Sequence, residues 1–96
     1  MKVSMFHLMP HRELPQDFEK RYSSVWVTPP WSELADPARV GQYYNWSLDE
    51  LIYAAEVGFD GVCVNEHHQN AYGFMPSPNI MASVLSRETK DAAIVV

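Results

Sequence analysis

The stretch Phe59-Asp60-Gly61-Val62-Cys63-Val64-Asn65-Glu66-His67-His68-Gln69-Asn70 decides how this chain folds. Its first half is a β-branched run without helical periodicity, so residues 59–65 read as a strand. Its second half is polar and begins where that strand stops. Immediately upstream, Ser47-Leu48-Asp49-Glu50 has the S-x-x-E form of a capping box, and Leu48, Leu51, Ile52 and Ala55 follow at helical spacing. These signals predict a helix of about ten residues that starts at Ser47 and ends at Gly58, the residue suited to a left-handed cap. At the amino end, residues 3–9 form a short apolar run closed by Pro10, which fits a buried strand better than a helix.

Downstream the same alternation repeats. Ser77 is placed to cap a helix that opens on Pro78, whose missing N–H costs nothing there. Met81, Val84 and Leu85 supply its apolar face, and Arg87 and Lys90 suit the negative end of its dipole. The last residues, 92–96, are Ala-Ala-Ile-Val-Val and read as a third strand. The order βαβαβ predicts an α/β protein with a parallel sheet. Because a parallel strand is normally followed by another crossover, a chain that stops inside one reads as the amino-terminal part of a larger α/β domain. Three bare strands would also leave exposed sheet edges.

Composition narrows the function classes. The 96 residues are 47% hydrophobic and carry a net charge of −5, which suits a folding chain and offers no basic stripe for nucleic acid. The single cysteine, Cys63, rules out an internal disulfide and points to a reducing compartment. It reads as a small core residue, and Met5, Met9, Met75 and Met81 as core filler. No signal peptide and no stretch of roughly 20 apolar residues is present, so the expected location is cytoplasmic. Residues 10–46 hold five of the seven prolines and all three tryptophans, Trp26, Trp31 and Trp46. They read as a long loop with little regular structure, whose aromatics either pin it to the protein or line a substrate.

Ligands of parallel α/β sheets bind beyond the carboxyl ends of the strands, which is where the 65–70 cluster and the Trp-rich loop both fall. If Val62 and Val64 pack against helices, the period of two turns Cys63, Asn65 and His67 the other way, with Glu66 and His68 opposite. His67 is therefore the candidate proton-transfer residue; a purely structural role for the His pair is the competing reading. Metal binding by Glu66, His67 and His68 is opposed by the spacing, because adjacent side chains diverge. No Walker loop, G-x-G-x-x-G turn or G-x-S-x-G elbow occurs.

Four segments carry a family resemblance: Met1-Lys2-Val3-Ser4-Met5-Phe6-His7-Leu8, Ala55-Glu56-Val57-Gly58-Phe59-Asp60, Glu66-His67-His68 followed by Tyr72-Gly73, and Ser77-Pro78-Asn79. In this order they resemble the bacterial-luciferase-like, flavin-dependent monooxygenases. That resemblance implies a TIM (β/α)8 barrel of which residues 1–96 are the amino-terminal part of one domain, ending within its third strand. It implies reduced FMN and O2 acting on an organic substrate, commonly in a homodimer supplied by a separate flavin reductase. It implies a catalytic role for His67, with Asn65 and His68 as neighbours of the flavin pocket, and an FMN phosphate clamp beyond Val96. The 10–46 stretch is longer than in the luciferases themselves, which suggests a different subgroup. The alternatives are a metal-dependent TIM-barrel hydrolase and a truncated, non-catalytic binding module.

Overall fold

A computed structural model describes residues 1–96 except Val27, Ala71 and Tyr72; the Tyr72 of the family resemblance thus lies outside the described residues. The chain is a small α/β protein. Its elements are β1 (Ser4–Phe6), α1 (Phe18–Arg21), α2 (Trp31–Leu34), α3 (Pro37–Glu56), β2 (Gly61–Cys63), α4 (Pro78–Glu88) and β3 (Ala93–Val95). The three strands are parallel and lie in the order β1-β2-β3. No helix among the described residues is long and apolar enough to cross a membrane.

Register and parity give the sheet two unlike faces. Met5, Val62 and Ile94 are in register and face the core, where Val62 and Val64 meet Leu51 and Ala54 of α3 and Met81 and Leu85 of α4. The two long helices thus cover one face together. On the other face Phe6, Cys63 and Val95 form a register row, with Phe6 58% and Val95 47% exposed. Cys63 is half-buried in that row and does not join the core, because strand parity turns it away from the helices. Met9, Met75 and Met81 are buried, and Met5 packs against them as core filler.

Helix α3 corrects the expected start at Ser47. It has 20 residues and begins ten positions earlier, at Pro37, with Asp36 as N-cap accepting the Ala38 N–H at 2.9 Å. Ser47 is fully buried in mid-helix, its Oγ donating to Tyr43 O at 2.7 Å. A serine inside a helix bonds back to the carbonyl four residues earlier instead of capping. The buried stripe Tyr43, Ser47, Leu51, Ala54 is the apolar face extended by two turns. Its far end is as expected: Gly58 has φ +100, Gly58 N–H donates to Ala55 O and Phe59 N–H to Ala54 O, the paired bonds of a Schellman ending.

The 10–46 stretch is accordingly no irregular loop, since it contains α1, α2 and the first half of α3. In α4, Ser77 is the N-cap and Pro78 opens the helix, although the Ser77 side chain makes no capping bond. Val84 is 39% exposed, so Met81 and Leu85 alone carry the buried face.

Candidate functional site at the carboxyl end of the sheet

Past Cys63 the first two strands part. His7 N–H donates to Cys63 O at 3.0 Å, and beyond that bond residues 73–75 return into the gap. Phe74 N–H donates to Met9 O at 2.8 Å, and His67 N–H donates to Met75 O at 2.7 Å. Two non-glycine residues at this end, Met9 and Gln69, have φ of 50, a left-handed conformation that costs on the order of 1–2 kcal/mol each. Backbone strain of this kind gathers where a site is being shaped.

Asn65 and His67 lie together under Gly73. A Cβ at Gly73 would sit 2.7 Å from His67 Cδ2, 2.7 Å from Leu8 O and 3.2 Å from Asn65 Nδ2, so glycine is required for the close approach. Asn65 Nδ2 donates to Leu8 O at 3.2 Å, while its Oδ1 is a buried acceptor without a hydrogen-bond partner. The His67 ring meets the Trp26 indole at 5.9 Å between centroids. His68 is exposed and its Nε2 lies 2.8 Å from Glu66 Oε1. His67 and His68 thus have different surroundings. Among the described residues no group of three His, Cys, Asp or Glu is arranged to hold a metal ion.

A cleft of about 260 Å³ opens beside the cluster, lined by His67, His68 and Asn70 together with the rings of Trp31, Tyr44 and Phe74. Trp31 belongs to the stretch whose aromatics the sequence offers either as pins or as substrate lining; Tyr44 and Phe74 carry no such signal there, although Asp36-Pro37 is a helix-start signal that puts Tyr44 on α3. Tyr44 donates its hydroxyl to Phe74 O, and burial raises its pKa.

A second network ties the segment after β1 to α3. The buried His7 accepts the Met9 N–H on Nδ1 at 2.9 Å, so its proton is on Nε2, which donates to Glu50 Oε2 at 2.6 Å. Arg12 also donates to Glu50, at 2.9 Å. Desolvation opposes ionisation of Glu50, but the bonds from His7 and Arg12 outweigh it and lower its pKa. Arg12 and Arg39 lie over the Trp46 ring at 5.6 and 5.5 Å. Arg39 pairs with Glu13, which also accepts the Tyr43 hydroxyl at 2.6 Å. Those two bonds hold the Glu13 carboxyl down to about 2. Trp46 therefore pins the stretch to α3, whereas Trp26 and Trp31 stand at the cluster.

No family model, no curated protein and no solved structure matches the chain.

Proposed function

We propose that this chain forms the first three strands of a TIM-barrel, flavin-dependent monooxygenase of the luciferase-like kind, with His67 handling protons beside reduced FMN. The observation that carries the reading is the one-sided sheet: strands in chain order, both long helices on one side, and on the other a register row in which Phe6 and Val95 are exposed and Cys63 half-buried. A (β/α)8 barrel has this arrangement, with helices outside and strand side chains filling the interior. A doubly wound sheet would place helices on both faces. The motif resemblance adds the chemistry, and a homodimer and a separate flavin reductase belong to the same proposal.

The residues present fit the ring portion of FMN. The unpartnered Oδ1 of Asn65 matches an N–H on the ring edge. For the phosphate, Arg12 and Arg39 are already paired with Glu50 and Glu13, and TIM barrels usually hold it with loops after their last strands. When bound, reduced FMN supplies two electrons to O2, one oxygen atom entering the substrate and the other leaving as water. His67 is held by its N–H bond to Met75 and by the Trp26 contact. Its imidazole can accept a proton released by the substrate or return one to the departing oxygen.

The test uses the whole protein that carries this chain. FMN binding is followed by flavin fluorescence, and turnover by NADH-driven O2 uptake with a flavin reductase. The expected result is FMN binding, with His67→Ala losing about a hundredfold or more in turnover at unchanged FMN affinity, and His68→Ala losing far less. Absence of FMN binding, or equal effects of the two substitutions, would overturn the reading.

A further inference from the structure

We propose that the cleft beside His67 binds a small planar aromatic molecule, and that this is the class of substrate the protein oxidises; the second clause rests on the function proposed above. Each aromatic wall of the cleft is fixed before any ligand arrives. Trp31 donates Nε1–H to Trp26 O at 2.8 Å and stacks on Phe18 at 6.3 Å with 24° between planes. Tyr44 is held by its hydroxyl bond to Phe74 O. Phe74 meets the His11 ring edge-on at 5.1 Å, and His11 is itself fixed, accepting Glu13 N–H on Nδ1 and facing Leu34 O with Nε2.

Rigid flat walls favour a rigid flat ligand. A ring gains the quadrupolar contact that aromatic pairs make beyond area burial and loses little conformational freedom on binding, whereas an alkyl chain gains none of the first and pays more of the second. Volume sets the scale: about 260 Å³ lies just below the roughly 300–1,000 Å³ of sites for drug-sized ligands, so the cleft suits a small aromatic molecule. His67 and His68 also line the cleft and suit a ring bearing an oxygen or nitrogen substituent. The face of that ring is then presented to the imidazole that the proposed reaction uses.

The experiment titrates the protein, without flavin, with para-cresol and with n-heptanol, an alcohol of equal carbon count, while two-dimensional NMR follows the Trp31 indole N–H and the Phe74 backbone N–H, the latter being retained in the Trp31 variants. Para-cresol is expected to shift both resonances saturably and to bind more tightly than n-heptanol. Trp31→Leu is expected to weaken it roughly three- to tenfold, with Trp31→Phe restoring most of the loss. Equal affinity for the two alcohols, or unchanged affinity in Trp31→Leu, overturns the inference. Should Trp31→Leu not fold, Overhauser contacts between bound para-cresol and the Trp31 and His67 rings decide, and their absence overturns it. Aromatic binding in a protein that does not take up FMN would sink the flavin reading alone. FMN uptake with no preference for the aromatic alcohol would sink this inference alone.

Discussion

His7 Nε2 lies 2.6 Å from Glu50 Oε2, joining the end of the first strand to the middle of α3 through a bond that only a neutral imidazole with Nδ1 as acceptor can make alongside the Met9 N–H. The imidazole is buried, and Glu50 is also held by Arg12. This bond sets where the segment after β1 leaves the sheet, and with it the position of Leu8, whose carbonyl meets Asn65.

Glu50→Ala therefore leaves a buried His7 N–H unpaired. The expected cost is about 1–3 kcal/mol of stability, read as a lower urea midpoint with unchanged slope. Glu50→Gln, which keeps an acceptor, should cost less. Equal losses in the two variants would show that the bond is not the source of the effect.

Stability should fall at both ends of the pH range. Glu13 drops from 4.5 to about 2 on folding, through its bonds with Arg39 and Tyr43. Its contribution is complete above 4.5 and disappears as pH falls through about 2. Glu50 and Asp60, also lowered, act in the same direction. Tyr43 is pushed up from 10.0 to about 12 by burial and by donating to Glu13, so its contribution is complete below 10.0 and is lost as pH rises through about 12. Urea midpoints measured across pH should show both limbs, and Glu13→Gln should flatten the acid one. A Glu13→Gln profile superimposable on the parent would contradict this assignment.

The true start of α3 can be tested by pairing two substitutions. Asp36→Ala removes the cap on Ala38 N–H and should cost about 1 kcal/mol. Ser47→Ala removes only a back-bond within the helix and should stay within about 0.5 kcal/mol. Thermal denaturation followed by circular dichroism distinguishes them, and the reverse order would favour a helix capped at Ser47.

Gly73→Ala should displace His67. The added Cβ would meet His67 Cδ2 and Leu8 O at 2.7 Å, and a backbone carbonyl cannot yield as a side-chain end can. Ring proton resonances of His67 should shift while those of His7, on the far side of Leu8, stay near their original positions. A variant with unmoved His67 signals would mean that the two segments are not packed as described.

Much of the fold was legible because local pattern and final environment agree. The β-branched run around Val62, the left-handed Gly58 and the Ser77-Pro78 start each have one comfortable conformation, and the chain adopts it. The parity of Val62, Cys63 and Asn65 was legible too, since side chains alternate whatever a strand packs against. Ser47 misled because a capping box and a mid-helix serine share one local sequence. Only the packing of Tyr43 and Leu51 on the same face, which buries Ser47, selects between them.

The sequence by itself determined the βαβαβ order, the two-faced sheet and the meeting of residues 65–70 with the long segment after β1, because periodicity and turn chemistry act over a few residues. The tertiary structure alone decided that Ser47 is buried in mid-helix. It alone brought Trp31, Tyr44 and Phe74 into one cleft beside His67. Those contacts join residues far apart along the chain, and their energies come from burial and from hydrogen bonds that close only when the whole unit folds.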